Sequence, residues 1–310
     1  MKRSLSTATL VFAALASAST AGSQASWPVS YRSLDIDGVS IAYREAGPQD
    51  APVMLLLHGF SSSSHMFRDL IPGLAENYHV IAPDYPGFGQ SFAPEASGYS
   101  YDFATLAETL TGFAEDLGLA EYTLYMQDYG GPVGMRLALS HPDRITGLVF
   151  QNATIHVEGW SPDVVAQFGP FWAERTPETE APLRGFLSAE TTRWQYQQGS
   201  TRSERLSPDA WISDQAGLDR PGNDAIQLDY LWNYRDNVAS YPEWQAYLAR
   251  ETPKTLIIWG ANDPFFTMEA VTGLHALLPD AETRIYDAGH FALETHAPEI
   301  GAAIRDVFAH

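Results

Sequence analysis

The stretch "YMQDYGGPVG", residues 125–134, places one carboxylate between an apolar run and a glycine pair. The run predicts a buried strand, the glycines predict a sharp turn, and the residues that follow predict a helix. A side chain that projects from such a turn is held near the N-terminus of the helix, where negative charge is stabilised. We therefore predict that Asp128 is a nucleophile exposed at a strand-to-helix turn.

Short apolar runs alternate with helical-period segments on both sides of this turn. The pattern predicts an α/β fold with a mostly parallel sheet covered by helices on both faces. Asp37-Gly38 separates two further runs and predicts a hairpin at the sheet edge. Buried strands are predicted at residues 53–57, 79–82, 122–126, 145–151, 255–259 and 282–286, with helices that include 103–117 and 132–140.

The regular alternation stops after Ala153 and resumes near Thr252. Six of the eight tryptophans lie in this interval, which is too long and too aromatic for a surface loop. We predict a helical cap domain at residues 154–251, inserted into a core domain formed by residues 27–153 and 252–310. Such a cap is expected to fold over the sheet and line a substrate pocket.

The N-terminus has the pattern of a secretory signal. Lys2 and Arg3 precede an apolar run at 8–16, and small residues follow it. The run is too short for a permanent membrane anchor. Residues 1–25 are therefore predicted to be a signal peptide, and the protein is predicted to be secreted or periplasmic.

Composition excludes several classes of function. The chain of 310 residues has no cysteine, so thiol nucleophiles and cysteine-ligated metals are excluded. Its net charge of −20 repels phosphate backbones and anionic lipids, which disfavours nucleic acid and membranes as partners. The histidines lack metal-ligand spacing, and the Gly-x-Gly turn in "APDYPGFGQS" lacks the third glycine of a dinucleotide loop. We expect a small-molecule substrate and no cofactor or metal, and oligomeric state stays open.

Two further side chains follow predicted strands. Asp263 lies in "LIIWGANDPFF" and His290 lies in "IYDAGHFALE". Because parallel strands bring their carboxyl ends to one edge of the sheet, we expect both side chains to meet Asp128 there. The turn in "LLLHGF" is expected to direct the backbone N–H of Phe60 to the same place, where it joins the N–H of Tyr129 in an oxyanion hole.

With these motifs, the sequence resembles the α/β-hydrolase family, and specifically its aspartate-nucleophile branch, which contains epoxide hydrolases and haloalkane dehalogenases. The resemblance covers nearly all of the chain from about Tyr31 onward. The oxyanion turn of the family matches His58-Gly59-Phe60, and its nucleophile motif matches residues 127–131. Its acid matches Asp263 and its histidine matches His290, which implies a catalytic triad with Asp128.

An aspartate nucleophile suits saturated carbon. Its carboxylate can displace a leaving group and form an alkyl ester whose carbonyl belongs to the enzyme. Water activated by His290, which Asp263 orients, can then hydrolyse that ester. An ester hydrolase that forms an acyl-enzyme would instead need a serine at position 128.

The leaving group distinguishes the two subfamilies. Dehalogenases resemble one another in placing a tryptophan directly after the nucleophile, where this chain has Tyr129, although Trp172 could supply an indole N–H from the cap. Epoxide hydrolases supply a tyrosine from the cap as proton donor, and "LWNYRDN" at 231–237 is similar to that setting, with Tyr234 in the donor position. A second cap tyrosine has no clear counterpart, and Tyr196 is the candidate.

The sequence therefore predicts an epoxide hydrolase that acts on a small apolar epoxide. Haloalkane dehalogenase is the alternative, and a binding protein of the same fold without turnover is a third hypothesis. The intact set of Asp128, Asp263 and His290 favours an enzyme over a binding protein.

Overall fold

The computed structural model describes residues 27–309, so the predicted signal peptide lies outside the described residues. Within this range, eight strands form one sheet in the order β1-β2-β4-β3-β5-β6-β7-β8. The strands are β1 (Ser30–Ile36), β2 (Val39–Ala46), β3 (Val53–Leu57), β4 (His79–Pro83), β5 (Tyr122–Gln127), β6 (Ile145–Gln151), β7 (Thr255–Gly260) and β8 (Glu282–Tyr286). The predicted fold class, an α/β-hydrolase fold with a mostly parallel sheet, is confirmed.

The antiparallel part of the sheet is confined to one edge. β1 and β2 form the predicted hairpin, and β2 pairs antiparallel with β4. Asp37 and Gly38 turn the hairpin with φ angles of 52° and 84°, a conformation that glycine and aspartate tolerate. All remaining strand pairs are parallel, so their carboxyl ends share one edge of the sheet.

The helices connect the strands and cover both faces of the sheet. They are α1 (Ile71–Leu74), α2 (Phe103–Asp116), α3 (Gly130–Ser140), α4 (Pro162–Ala173), α5 (Pro177–Phe186), α6 (Ala189–Gln197), α7 (Pro208–Leu218), α8 (Asn223–Glu251), α9 (Met268–Leu277) and α10 (Leu293–Phe308). α3 begins two residues before the predicted start at 132. The elbow leads directly into the helix, and its glycines are the first helical residues.

Strand β3 illustrates how the sheet separates two apolar cores. Leu55 and Leu57 belong to the core that includes residues of α2, α3 and α8. Met54 and Leu56 point to the other face and join the core formed with α1 and α10. Because successive strand residues alternate between faces, a strand buried on both sides reads as a continuous apolar run.

Helices α4–α8 lie between β6 and β7 in the chain, within the interval predicted as a cap. Side chains of α8 attach to the loop that follows β4: Gln227 donates from Nε2 to the Gly87 carbonyl oxygen at 3.0 Å, and Tyr230 donates to the Pro86 carbonyl oxygen at 3.2 Å. Asn233 accepts a 2.9 Å bond from the N–H of Phe103 at the start of α2. Helix α8 therefore contacts the edge of the sheet where the parallel strands end.

No helix within residues 27–309 has the length and apolar character needed to cross a membrane.

Candidate active site

Asp128 occupies a strained turn between β5 and α3. Its φ angle is +48°, in the left-handed region that costs a non-glycine residue about 1–2 kcal/mol. The turn needs small residues around it: a β-carbon at position 130 would lie 2.2 Å from the Leu57 carbonyl oxygen. The strand, turn and helix thus hold the Asp128 carboxylate at the carboxyl edge of the sheet.

The turn after β3 presents a hydrogen-bond donor to this carboxylate. The N–H of Phe60 donates to Asp128 Oδ1 at 2.7 Å. Gly59 permits this approach, because a β-carbon there would lie 2.3 Å from the Asp128 β-carbon. The N–H of Tyr129 also lowers the pKa of Asp128 through a hydrogen bond. The structure therefore brings both backbone N–H groups that the sequence predicted for an oxyanion hole to Asp128.

Burial dominates the ionisation of Asp128. Loss of solvent raises the pKa of the carboxyl to about 6, although His290 and the N–H groups of Phe60 and Tyr129 lower it. Asp263 raises the pKa further through its charge. At neutral pH the ionised form of Asp128 still outnumbers the protonated form. Its weaker solvation leaves this carboxylate more reactive than a carboxylate in water.

His290 connects Asp128 with Asp263. Its Nδ1 lies 2.8 Å from Asp263 Oδ2, and its Nε2 lies 3.9 Å from Asp128 Oδ2. Burial disfavours a charged imidazole, but the charge and hydrogen bond of Asp263 and the charge of Asp128 raise the pKa of His290 above its ordinary value. With Nδ1–H donated to Asp263, the Nε2 lone pair faces the nucleophile and can accept a proton there.

The environment of Asp263 includes a residue that the sequence did not identify. Asn152 follows β6 with a φ of +43° and donates from Nδ2 to Asp263 Oδ2 at 2.7 Å. Its Oδ1 accepts the N–H of Gly260 at 3.0 Å, and the N–H of Phe265 donates to Asp263 Oδ1 at 2.8 Å. These donors fix both carboxylate oxygens of Asp263 and thereby orient the imidazole of His290.

Gln127 is a second polar neighbour of the site that sequence reasoning missed. Its side-chain amide lies 2.9 Å from His290 Nε2, the nitrogen that accepts a proton in general-base catalysis. Its Oε1 is buried and has no hydrogen-bond partner among residues 27–309. Its position directly before Asp128 is the signal that could have identified it.

The carboxylate and the imidazole open into a cavity of about 420 Å³. Its wall is mostly aromatic, and Phe168, Trp172 and Phe186 contribute to it from α4 and α5. Phe60 and Tyr129 close the core side, and the ring centroids of Phe60 and Phe186 lie 5.3 Å apart. A wall of this kind is typical of pockets for small molecules with apolar surface.

The structure brings Tyr234 of α8 to the cavity. Its ring stacks on Trp172 at 5.9 Å and lies 5.7 Å from the ring of Tyr129. Its hydroxyl is buried and lies beside the hydroxyl of Tyr241. Burial raises the pKa of Tyr234 well above its ordinary value, and the nearby Tyr241 hydroxyl and Asp128 raise it further. The phenol is therefore protonated and able to donate.

Trp172 also lines the cavity, but its indole N–H is engaged. It donates to the Leu231 carbonyl oxygen at 2.9 Å. The indole of Trp160, another cavity residue, donates to the Tyr241 hydroxyl at 3.2 Å. Neither indole N–H is free to bind a ligand in this arrangement.

The prediction that Tyr196 lines the substrate pocket is wrong. Its ring stacks on Phe291 at 4.0 Å, and its hydroxyl donates to the buried carboxylate of Asp214. The preceding residue, Gln195, lines the cavity instead. Consecutive helical side chains point about 100° apart, so only one of the two can face the cavity.

Comparisons with known proteins agree with this fold and site. Residues 52–297 match the family model described as alpha/beta hydrolase fold. The chain is 38% identical over 276 residues to an uncharacterized hydrolase of Saccharomyces cerevisiae, covering 88% of this chain and 94% of the relative. It is 30% identical over 302 residues to haloalkane dehalogenase 2 of Mycobacterium tuberculosis, covering 91% of this chain and 96% of that protein.

Among solved structures, a haloalkane dehalogenase of Bradyrhizobium elkani is similar, with a TM-score of 0.76 and 25% identity over 90% of this chain and 97% of that one. The chain therefore belongs to the alpha/beta hydrolase fold family, in the branch that includes haloalkane dehalogenases. It is a hydrolase of a family that acts on small molecules.

Proposed function

We propose that the protein hydrolyses epoxides to diols through a covalent ester on Asp128. The observation that carries this proposal is the division of the carboxylate between two partners: Oδ1 accepts the N–H of Phe60 at 2.7 Å, and Oδ2 faces His290 Nε2 at 3.9 Å. One oxygen is held by backbone donors, and the other is available to attack.

In the first step, Asp128 Oδ2 attacks a ring carbon and the carbon–oxygen bond of the epoxide breaks. The emerging alkoxide takes the proton of the Tyr234 hydroxyl, which lines the same cavity. A phenol is matched to this task because its pKa lies close to that of the developing alkoxide. The product of the step is a hydroxyalkyl ester of Asp128.

In the second step, His290 Nε2 removes a proton from water, and the hydroxide attacks the ester carbonyl carbon of Asp128. Negative charge develops on Oδ1, where the N–H groups of Phe60 and Tyr129 stabilise it. Asp263, held by Asn152, stabilises the imidazolium that forms. The intermediate collapses, the diol oxygen leaves with the proton held by His290, and the proton that Asp128 releases on returning to its carboxylate restores the Tyr234 phenol.

The donors around the cavity favour an epoxide over a halide. A departing halide carries no basic lone pair and is stabilised by N–H groups. The indole N–H groups of Trp160 and Trp172 already donate to the Tyr241 hydroxyl and the Leu231 carbonyl. Tyr234, by contrast, brings a protonated hydroxyl to the cavity, beside the Tyr241 hydroxyl. This donor is of the kind that an epoxide oxygen needs.

Haloalkane dehalogenation is the second candidate. It is supported by the 30% identity to haloalkane dehalogenase 2 of Mycobacterium tuberculosis over 91% of this chain. The same Asp128 and His290 chemistry would serve it, with the carbon–halogen bond broken in the first step and no proton donor required. The observation against it is that the indole N–H groups of Trp160 and Trp172, which would bind the halide, already donate to other groups of the protein.

The two candidates are separated by product analysis. The purified protein is incubated with 1,2-epoxybutane and with 1-bromobutane, and diol and free bromide are measured. We expect diol from the epoxide at a rate well above any bromide release. Bromide release without diol would make dehalogenation the function. An Asp128→Asn variant serves as the control, because it should abolish both activities if they share the nucleophile.

A further inference from the structure

Tyr241 is a buried tyrosine of α8 that the proposed reaction does not use. It follows Tyr234 by seven residues, which is about two helical turns, so both side chains lie on the same face of the helix. The hydroxyl of Tyr241 lies beside that of Tyr234. Tyr234 lines the cavity and Tyr241 does not. Tyr241 is thus next to the proton donor but outside the space that the substrate fills.

The Tyr241 oxygen already accepts one hydrogen bond. The indole N–H of Trp160 donates to it at 3.2 Å. The Trp160 ring also packs edge-on against the Tyr234 ring, with centroids 5.1 Å apart, so one tryptophan fixes both phenols. Because an indole is a donor only, the Tyr241 hydroxyl keeps its own proton, and the Tyr234 oxygen is an acceptor beside it.

Negative charge is better stabilised on Tyr241 than on Tyr234. Burial raises the pKa of both phenols, and the charge of Asp128 raises it further. Hydrogen bonds from Tyr234 and Trp160 lower the pKa of Tyr241, whereas the hydrogen bond with Tyr241 raises the pKa of Tyr234. A phenolate on Tyr241 therefore accepts two donors, and this stabilises it relative to a phenolate on Tyr234.

Ring opening removes the charge that opposes a phenolate. As Asp128 attacks the epoxide, its carboxylate becomes a neutral ester, and the negative charge moves to the epoxide oxygen. Protonation of that oxygen transfers the charge to the tyrosine pair when Asp128 no longer repels it. Formation of the ester and ionisation of the pair thus favour each other within one step.

We propose that Tyr241 is the proton source for Tyr234 during ring opening, and that Trp160 holds Tyr241 in this role. Tyr234 transfers its hydroxyl proton to the epoxide oxygen, and the Tyr241 hydroxyl proton moves to the Tyr234 oxygen. The product and Tyr234 each gain an O–H bond, and the negative charge resides on Tyr241. The proton that Asp128 releases after ester hydrolysis returns through Tyr234 to Tyr241. This relay rests on the proposed function, because only an epoxide needs the proton.

The number of protons that move distinguishes a relay from a single donor. Ring opening of 1,2-epoxybutane is measured by rapid quench in a single turnover, in mixtures of normal and deuterated water. We expect the wild-type rate to follow a curve against the deuterium fraction, since two protons move, and the Tyr241→Phe rate to follow a straight line. Tyr241→Phe should also open the ring about tenfold more slowly, the value of one hydrogen bond, and hydrolyse the ester within about twofold of the wild-type rate.

Two further variants test whether Tyr241 acts through Tyr234. Tyr247→Phe is the matched control, because Tyr247 lies on the same helix beside Glu251 and Arg250 and outside the cavity wall. Its ring-opening rate should equal that of the wild type. Tyr241→Phe added to Tyr234→Phe should slow ring opening no further, because the relay has no other route to the substrate.

The outcomes distinguish the two proposals. A straight line for the wild type, an equal loss in Tyr241→Phe and Tyr247→Phe, or a further loss in the double variant overturns the relay alone. A wild-type protein that forms no diol overturns the proposed function together with it. Thermal melting verifies that each variant folds, and the deuterium dependence of the wild type decides the question if Tyr241→Phe does not fold.

Discussion

The backbone N–H of Phe60 donates to Asp128 Oδ1 at 2.7 Å, and this contact makes the two oxygens of one carboxylate different. Oδ1 is bound before any substrate arrives, in the position where negative charge develops when the ester is hydrolysed. Oδ2 is left on the side of His290 Nε2. A donor set that is already in place costs no reorganisation during the reaction.

Removal of the general base should slow ester hydrolysis and leave ester formation in place. We expect His290→Gln to form the ester on Asp128 but to hydrolyse it about 10²–10⁴-fold more slowly. Intact-protein mass spectrometry after incubation with epoxide should show an adduct, and peptide mapping should place it on Asp128. His275→Gln, on α9 and outside the cavity, is the control that should turn over normally. Absence of any adduct in the His290 variant would remove the basis for covalent catalysis.

Replacement of the phenol should affect one substrate class selectively. We expect Tyr234→Phe to slow epoxide opening about 10²–10⁴-fold, because the alkoxide then lacks its proton donor. Ester formation from a bromoalkane should stay within about twofold of the wild-type rate. The variant should fold, since it keeps the ring contacts with Tyr129 and Trp172 and loses a single hydroxyl.

Tyr230→Phe is the matched control for this measurement, because Tyr230 lies one turn earlier on α8 and donates to the Pro86 carbonyl oxygen. Because Tyr230→Phe loses this hydrogen bond, it can lower stability without touching the cavity, so the ring-opening rate is the quantity compared. Equal losses in both variants, or full activity in Tyr234→Phe, would assign the proton to another donor.

The two steps should respond differently to acid. Asp128 must be ionised to attack, and burial raises its pKa to about 6, so ester formation should decline as the pH falls through that value. His290 must be neutral to activate water, and Asp263 raises its pKa above the ordinary value. Hydrolysis should therefore decline at a higher pH than ester formation does. Rapid-quench measurements should detect more trapped ester as the pH is lowered from 9 toward 6.5, and a constant amount would contradict this order.

The buried carboxyl of Asp214 should make stability depend on pH. Burial raises the pKa of Asp214 from 3.8 to about 8, although hydrogen bonds from Tyr196 and Ser62 oppose the shift. A group whose pKa is higher in the folded state favours folding at low pH, and this contribution is lost as the pH rises from about 4 to about 8. We expect Asp214→Asn to increase the free energy of unfolding relative to the wild type progressively over that interval. Urea titrations at pH 5 and pH 8 should reveal the difference, and an equal effect at both values would refute it.

The sequence was informative where chemistry follows strand ends. Asp128, Asp263 and His290 were located because parallel strands bring their carboxyl ends to one edge, and each residue follows a buried apolar run. The bounds of β3, β6 and β8 also agree with the predicted ranges, since a strand buried between helices has an apolar pattern with clear limits. These features depend on local pattern and on topology, both of which a single chain reveals.

Features that depend on the direction of a side chain were missed. Gln195 and Tyr196 are neighbours on α6, and a helix rotation of about 100° decides which one enters the cavity. Aromatic residues occur on all sides of the inserted helices, so the pattern did not fix their rotation. Asn152 and Gln127 were missed because an amide at a strand end is common, and their role depends on distances across the sheet.

The most direct test of the covalent route is a single turnover in ¹⁸O-labelled water with enzyme in excess over epoxide. Because water attacks the ester carbonyl of Asp128, we expect the diol of this first cycle to carry no ¹⁸O and the peptide that contains Asp128 to gain it. Label in the diol, with an unlabelled Asp128 peptide, would mean that water attacks the substrate directly and would contradict the account.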